Sequence, residues 1–185
     1  MEQEKKVFRK IKDSDLEMIM NWRMQPDITK YMFTDPQLTL EKQIQWYKKI
    51  SQEEDSFYWI FEVNGLPVGL VSLVDWDKKN SVIYGGGYIA EKKGRTLNNI
   101  LDMNMNLYNY ALEVLGVNRA ALEIMSNNIS QVQWMKRIGA VQEGIARQAI
   151  KKNGQYYDLY LLSFLKEEWS DVCKKNKYTI FEIEE

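Results

Sequence analysis

A glycine-rich and basic stretch lies where a strand-like run gives way to a predicted helix. It runs from Tyr84 to Asn99, YGGGYIAEKKGRTLNN. A helix N-terminus offers unpaired N–H groups and partial positive charge, which suit a diphosphate. Gly94 lets the backbone approach a ligand closely, and Lys92, Lys93 and Arg95 add attraction for an anion. The pattern predicts a phosphate-bearing ligand, and the alternative is an ordinary turn with solvated basic side chains.

The three consecutive glycines in this stretch have a separate meaning. Gly85–Gly87 predict a bulge that parts their strand from a neighbouring strand. A parted pair leaves backbone N–H and C=O groups free in a cleft. An extended ligand that carries amides could pair with these groups.

The residue types that are scarce in the chain exclude several kinds of chemistry. Histidine is absent and Cys173 is the single cysteine. Triads that use histidine, histidine metal sites and cysteine-rich zinc sites are therefore excluded, and no metal is expected. A lone cysteine forms no internal disulfide, which is typical of a reducing compartment. Any catalysis must use carboxylates, tyrosines, backbone dipoles or a bound cofactor.

Composition and charge predict one soluble domain spanning residues 1–185. Hydrophobic residues make up 45% and charged residues 28% of the 185 residues, and the net charge is −1. Such a charge attracts no nucleic acid as a whole. No apolar run approaches the ~20 residues that span a bilayer, and the N-terminus lacks a signal-peptide segment. We therefore expect a cytoplasmic protein with no nucleic-acid or membrane partner.

Hydrophobic periodicity and turn signals give the order β-α-α-β-β-β-α-β-α-β-β. Asn-Gly pairs at 64–65 and 153–154 predict two hairpins. The first helix is expected to open on a Ser14-x-x-Glu17 capping box, and a long helix is expected over Thr96–Leu115, ending at Gly116. This order predicts an α+β fold with a mixed, largely antiparallel central sheet, a β-α-β crossover and helices on both faces. The tail YTIFEI either adds a strand to this sheet or mediates a homodimer.

The order of elements and three motifs resemble the GNAT acyltransferase superfamily over nearly the whole chain. The first motif is the loop Q/R-x-x-G-x-G/A, matched here by Glu91–Thr96 with Gly94 as its first glycine; Glu91 and Thr96 depart from the pattern. In that family the loop holds the pyrophosphate of acetyl-CoA. The resemblance implies acetyl-CoA as co-substrate and implies contacts from one set of residues: Tyr88, Ile89, Ala90, Lys93, Gly94, Arg95 and Thr96.

The second motif resembles the family segment N-x-x-A/S…Y-x-x-x-G-F, with Asn127, Ser130 and Gly139 matching. By resemblance Asn127 and Trp134 also contact acetyl-CoA. Trp134 stands where the family commonly has a tyrosine acid, and an indole is no useful acid at neutral pH. The alternatives are a helix cap for Asn127 and, more favoured, a packing role for Trp134. The third motif is the closing hairpin, which is similar to the last strands of the family.

The N-terminal region resembles the amino-sugar-nucleotide N-acetyltransferases of the pseudaminic-acid pathway. The matching positions are Trp22, Arg23, Pro26, Ile28, Met32, Trp46 and Tyr47. This resemblance implies that the acceptor is a primary amine on a UDP-linked 4-amino-4,6-dideoxy sugar, with Arg23 on a phosphate and Trp22 and Met32 lining the pocket. Alternatively, Arg23 pairs with Asp27 or caps the helix, and Trp22 and Met32 belong to the core. Protein N-termini, polyamines and aminoglycosides are the competing acceptors.

Acetyl transfer to an amine needs a base and a donor for the developing oxyanion. Glu123 lies on the strand RAALEIM beside the crossover and is the predicted base, with a plain surface charge as the alternative. The backbone near Tyr88 and Ile89 would orient the thioester carbonyl. Tyr88 is a candidate acid beside Tyr108 and Tyr157, and spacing selects none of them. The second class of function is a GNAT-fold binding module that has lost catalysis.

Overall fold

The computed structural model describes residues 4–185 and contains an eight-stranded mixed sheet. The strands are β1 (Lys6–Lys10), β2 (Phe57–Val63), β3 (Leu66–Asp77), β4 (Val82–Ile89), β5 (Arg119–Met125), β6 (Val141–Lys152), β7 (Gln155–Leu165) and β8 (Glu182–Ile183). The helices are α1 (Leu16–Met24), α2 (Pro26–Thr29), α3 (Leu40–Ile50), α4 (Leu97–Asn109), α5 (Ile129–Ile138) and α6 (Lys166–Lys175). The strand order is β6-β7-β5-β4-β3-β2-β1-β8.

Most neighbouring strands are antiparallel, as the sequence predicts. The exceptions are β4 with β5 and β1 with β8, which are parallel. The crossover from β4 to β5 contains α4, as parallel strands require. Both Asn-Gly pairs lie between paired strands, and both of their residues have positive φ, at Asn64, Gly65, Asn153 and Gly154. The predicted α+β class with a mixed sheet is confirmed.

The apolar side chains form two clusters, one on each face of the sheet. The larger cluster joins one face to α4, α5 and α6 through residues such as Leu107, Met135 and Trp169. The smaller cluster joins the opposite face to α1 and α3 through residues such as Ile19 and Ile50. Helices on both faces bury both sides of the strands, which accounts for the nearly continuous apolar runs of β2 and β3.

The pairing of β4 with β5 is short. Only Val82–Tyr84 pair with Arg119–Ala121, and beyond these residues the two strands part. By contrast, β4 stays paired with β3 through Gly85–Gly87, and the irregularity of that ladder lies in β3, between Val74 and Asp77. The expected parting is therefore present, but the expected bulge at Gly85–Gly87 is wrong. Gly85 is needed because a Cβ there would lie 2.7 Å from the ring of Tyr108.

Two helix boundaries differ from the sequence-based expectation. A 3-10 turn over Asp13–Asp15 precedes α1, so the helix begins at Leu16 rather than at a Ser14 cap. Asp15 organises this start, since its carboxylate accepts from the N–H of Lys12 at 2.8 Å and binds Arg9. The long helix begins at Leu97 after its cap Thr96, continues past Asn109 as a π-helical turn, and gives way near Gly116, whose φ is +70°.

The C-terminal tail completes the chain's own sheet. Its residues Glu182 and Ile183 pair with β1, and the Trp59 indole donates to the carbonyl of Glu184 at 2.8 Å. Asn106 on α4 joins the carbonyl of Thr179 and the N–H of Phe181. Of the helices in residues 4–185, none combines the length and apolar character that crossing a membrane requires.

Candidate active site

A cleft of about 790 Å³ opens where β4 and β5 part. One side comes from α1, α2 and the segment that follows them, and we call it the α1–α2 side; it includes Arg23, Asp27, Tyr31, Met32, Phe33 and Thr34. The other side comes from the starts of α4 and α5, and we call it the α4–α5 side; it includes Arg95, Ile100, Asn104, Asn128, Ser130 and Gln131. Gly85–Ile89 of β4 and Leu122–Ile124 of β5 lie between the two sides.

The loop that joins β4 to α4 is tightly wound. The N–H groups of Gly94 and Arg95 donate to the carbonyls of Glu91 and Lys92, at 2.9 and 3.1 Å, and the N–H of Thr96 donates to Gly94 at 2.9 Å. The Thr96 hydroxyl caps α4 by accepting from the N–H of Asn99 at 3.2 Å. Within residues 4–185, the N–H groups of Leu97 and Asn98 have no such partner. The groups that a helix start offers to an anion are therefore those of Leu97 and Asn98.

Gly94 has a packing role in this loop. It is buried, and a Cβ there would lie 2.8 Å from the Cβ of Val68 on β3. The absence of a side chain thus lets the loop rest directly on the sheet. Lys93 is exposed in the same turn.

The guanidinium of Arg95 is fully engaged with the protein. It donates to the carbonyls of Ile89 and Ala90, at 2.8 and 2.7 Å, and to the carboxylate of Asp27 at 2.6 Å. The hydrogen bond from Arg95 holds the pKa of Asp27 below its ordinary value. Arg95 therefore ties the end of β4 to α2, and its charge is balanced at the cleft.

Arg23 has one end of its guanidinium in use and one end without a partner. Its Nη2 donates to the carbonyl and the hydroxyl of Thr34, at 3.1 and 3.0 Å. Its Nη1 is buried and finds no acceptor among the described residues. Burial lowers the pKa of Arg23 from its ordinary value. A buried N–H without an acceptor is costly, which marks Nη1 as a donor for a ligand oxygen.

Tyr88 and Ile89 form the wall contributed by β4. Burial raises the pKa of the Tyr88 hydroxyl well above its ordinary value, so this group stays protonated near neutral pH. The N–H of Ala90 donates to the carbonyl of Val68 on β3 at 2.8 Å. Successive N–H groups of a strand point to opposite sides. The N–H of Ile89 therefore points away from β3, toward the gap.

Glu123 lies on β5 beyond its last pairing with β4. It lines the cleft and is exposed, and it stands opposite Leu161 in the β5–β7 ladder. None of the ion pairs within residues 4–185 includes its carboxylate. Glu123 is thus accessible to a substrate and free to accept a proton.

Seven of the residues that the resemblance singles out as contacts do not line the cleft: Ala90, Lys93, Gly94 and Thr96 of the loop before α4, and Trp22, Asn127 and Trp134. Trp22 is 3% exposed, is packed in the smaller core cluster, and donates to Glu91. Asn127 donates to the carbonyl of Lys30 at 2.7 Å rather than capping α5, and its neighbour Asn128 lines the cleft instead. Trp134 packs against the larger core cluster, with its buried Nε1 lacking an acceptor among the described residues.

The sequence analysis missed several cleft residues. Tyr31, Phe33 and Thr34 lie in an irregular segment, where no period marks a face. Asn104 is 6% exposed on α4, and it appears in the sequence as one of several polar residues at near-helical spacing. The polar residues at 99, 102, 104 and 106 are interspersed with apolar residues, so this helix has no separate polar face. That pattern could have indicated that some of its polar side chains are buried.

Comparison with known proteins supports the geometric assignment. A family model described as an acetyltransferase (GNAT) domain matches residues 8–161. YdaF of Bacillus subtilis (strain 168), provisionally named a ribosomal N-acetyltransferase, is 34% identical over 107 residues, which span 57% of this chain and 57% of YdaF. Acetyltransferase PseH of Campylobacter jejuni subsp. jejuni serotype O:23/36 (strain 81-176) is 26% identical over 123 residues, 66% of this chain and 74% of PseH.

The architecture also has a close counterpart among solved structures. The spermidine N-acetyltransferase from Vibrio cholerae, in complex with CoA and spermine, superposes with a TM-score of 0.84 over 90% of this chain and 98% of that chain. Its sequence identity of 18% makes this a likeness of fold. The family model spans most of the sheet, the parted strands and the loop that starts α4. The chain therefore belongs to the GNAT family of acetyltransferases, enzymes that use acetyl-CoA.

Proposed function

We propose that this chain, acting as a single domain, moves an acetyl group from acetyl-CoA to a primary amine on a UDP-linked 4-amino-4,6-dideoxy sugar. The observation that carries the proposal is the cleft between β4 and β5. Its lining includes Arg95 and Ile100, which flank the free N–H groups of Leu97 and Asn98 in sequence, together with the unpaired carboxylate of Glu123 and the unpaired buried donor Arg23 Nη1. One end of the cleft thus suits a diphosphate and the other suits an amine with a neighbouring oxygen-rich group.

The α4–α5 side fits the co-substrate. The N–H groups of Leu97 and Asn98 would donate hydrogen bonds to the pyrophosphate oxygens, with Lys93 adding charge from its exposed position. Acetyl-CoA supplies an activated thioester, whose thiolate is a good leaving group near neutral pH. The Ile89 N–H, which faces the gap, would donate to the thioester carbonyl and to the oxyanion that develops from it.

Glu123 is the proposed base. An acceptor amine is normally protonated near neutral pH, and it must lose a proton before it can attack. The exposed carboxylate of Glu123 would take that proton directly or through a water. The hydroxyl of Tyr88, which lines the same cleft, would stay neutral and could donate a hydrogen bond to the substrate or to the leaving sulfur.

The charges on the α1–α2 side favour an acceptor that carries a single amine and an anion. The side offers one unengaged cationic donor, Arg23 Nη1, while the Asp27 carboxylate is neutralised by Arg95. Glu123 is the unpaired carboxylate at this part of the cleft. A polyamine would bring several positive charges toward a guanidinium, which Coulomb repulsion opposes. A nucleotide sugar brings phosphate oxygens that can accept a charge-assisted hydrogen bond from Arg23 Nη1.

A polyamine is the second candidate acceptor. It is favoured by the likeness of fold to a spermidine N-acetyltransferase solved with spermine. The two candidates differ in the sign of charge that the acceptor carries beside its amine, so one assay separates them.

The test is a comparison of kcat/KM for a UDP-linked 4-amino-4,6-dideoxy sugar and for spermine, with release of the CoA thiol as the signal. We expect the sugar nucleotide to be the better substrate by roughly ten- to a hundredfold, since one hydrogen bond between charged groups is worth about 1.5–3 kcal/mol. Faster turnover of spermine would assign the acceptor to the polyamines. Binding of acetyl-CoA without transfer to either amine would favour the binding-module class instead.

A further inference from the structure

The segment Thr29–Asp35, which we call the wall segment, lines the α1–α2 side of the cleft. It begins at the end of α2 and runs into the irregular chain before α3. Tyr31–Thr34 reach the cleft directly. Backbone hydrogen bonds continue the turn of α2 as far as the Met32 N–H, which donates to the Thr29 carbonyl at 3.0 Å, so the position of the rest of the segment depends on other contacts.

Those contacts come from side chains of distant elements. The Nζ of Lys152, on the last residue of β6, donates to the carbonyls of Thr29 and Met32, at 2.6 and 2.8 Å. The same Nζ lies 2.9 Å from Oδ1 of Asp35. An ammonium has three donors, and these three oxygens match them in number.

The turn of the β6–β7 hairpin adds a fourth contact. Asn153 donates to Oδ2 of Asp35 at 2.7 Å, so both carboxylate oxygens of Asp35 are held by adjacent residues of the hairpin. Asn153 and Gly154 have φ of +50° and +78°, the left-handed pair of a tight two-residue turn. The tip of the hairpin is therefore rigid where it meets the wall segment.

The burial of Lys152 supports its role in holding the wall segment. The residue is 7% exposed, whereas its neighbour Lys151 is exposed and lies over the ring of Tyr156. A buried ammonium is tolerated only when its donors are satisfied. Without Lys152, the carbonyls of Thr29 and Met32 and the carboxylate of Asp35 would each lose one donor, and the wall segment would lose three of the contacts that join it to the β6–β7 hairpin.

We propose that Lys152 and Asn153 form a clasp that fixes the wall segment as one face of the acceptor site, and that Lys152 is a positioning residue for the amine substrate. The inference rests on the proposed function, in that it assigns the acceptor to the α1–α2 side. The inference does not involve the α4–α5 side, because neither Lys152 nor Asn153 lies there. The clasp should therefore affect the amine and leave acetyl-CoA unaffected.

The test compares Lys152→Met with the matched control Lys151→Met, which removes the neighbouring ammonium of the same hairpin. Hydrogen exchange of peptides covering residues 29–35 is measured against peptides of α4 in the same molecule. We expect exchange of the wall segment to rise at least about tenfold in Lys152→Met and to stay unchanged in Lys151→Met. Equal exchange in the two variants would overturn the clasp.

Steady-state kinetics then test the positioning role. With the UDP-linked amino sugar as probe, Lys152→Met should raise KM for the amine about tenfold or more and leave KM for acetyl-CoA unchanged. Lys152→Arg keeps the charge and should recover part of the loss. Asp35→Ala, a change at a partly exposed carboxylate, provides a second variant should Lys152→Met not fold, and it should shift the same KM. An equal rise in both KM values would overturn the inference.

Failure of the proposed function would look different. If the wild-type protein does not acetylate the sugar nucleotide, the assigned acceptor is wrong, and the clasp is judged by hydrogen exchange alone. A wall segment that exchanges faster in Lys152→Met then supports the clasp, and one that does not refutes it.

Discussion

The carboxylate of Glu91 accepts a hydrogen bond from the indole N–H of Trp22 at 2.8 Å. The loop before α4 carries an acidic residue at its start, and an inward carboxylate there would repel a diphosphate. The contact with Trp22 turns Glu91 toward α1 instead. The two residues therefore join the loop before α4 to the helix that carries Arg23, and Glu91, which departs from the family pattern, contributes to the packing of that loop.

Replacing Glu91 tests this contact. Glu91→Ala should lower the free energy of unfolding by about 1–3 kcal/mol, because the indole N–H of Trp22 is left buried without an acceptor. Glu91→Gln keeps an acceptor and should cost less. Denaturant unfolding of both variants measures the difference. A loss as large in Glu91→Gln as in Glu91→Ala would show that charge, not the hydrogen bond, is what matters.

The contact between Gly94 and Val68 gives a second prediction. Gly94→Ala should lower the free energy of unfolding by about 1–3 kcal/mol, since the added methyl would meet the Cβ of Val68 at 2.8 Å. It should also weaken acetyl-CoA binding, because the loop must move off the sheet. Calorimetric unfolding and titration with acetyl-CoA report the two effects.

A double variant and a control sharpen that experiment. Adding Val68→Gly to Gly94→Ala removes the Cβ that the new methyl would meet and should restore some of the lost affinity for acetyl-CoA. Gly86→Ala meets no atom within 4 Å, so it should leave stability unchanged. If Gly94→Ala proves as stable as Gly86→Ala, the glycine is present for ligand approach alone.

The sequence predicts the fold well because each strong signal is local. Asn-Gly turns, apolar runs and the glycine that ends the long helix at Gly116 all specify structure from a few neighbouring residues, and the structure has each of them. The parting of β4 and β5 is also anticipated, although its cause is not a bulge at Gly85–Gly87. The predicted Ser14 cap fails because the neighbouring Asp15 organises the start of the helix instead, through its ion pair with Arg9 and its hydrogen bond from the Lys12 N–H.

The candidate site is less predictable, because its contacts join residues far apart in the chain. Arg95 reads as a free cation in sequence, yet it is neutralised by Asp27 across 68 positions. Lys152 looks like any basic residue of a hairpin, and its partners lie more than 100 positions earlier. Neither relation leaves a periodic or compositional trace. At the start of α5, Asn128 lines the cleft although the motif singles out its neighbour Asn127.

Buried tyrosines predict how stability depends on pH. Burial raises the pKa of Tyr58 to about 12 from its ordinary value of 10.0. Such a group contributes its full stability below the unfolded-state pKa and loses it as pH rises through the folded-state pKa. The free energy of unfolding should therefore fall between pH 10 and 12, because the unfolded chain releases the proton first.

The matched variant for this effect is Tyr58→Phe. In this variant the free energy of unfolding should fall less steeply with pH, by up to the slope that the release of one proton causes. The buried Tyr88 and Tyr108, whose pKa values are also raised by burial, keep contributing to the decline. Urea unfolding at a series of pH values measures the slope. The same slope with and without the Tyr58 hydroxyl would mean that other groups account for the alkaline loss.

Glu123 gives the most direct prediction for catalysis. Glu123→Gln keeps the size and the hydrogen-bonding atoms of the side chain but removes its basicity. Turnover should fall about 10²–10⁴-fold, the usual contribution of a general base, and the dissociation constant for acetyl-CoA should not change. Raising the pH should recover part of the lost rate, because the amine then loses its proton to the bulk solvent and no longer needs a base at position 123. A variant that keeps full turnover at neutral pH would remove Glu123 as the base. The pH profile separates loss of the base, which alkaline solution partly repairs, from a loss caused by misplaced substrate, which alkaline solution does not repair.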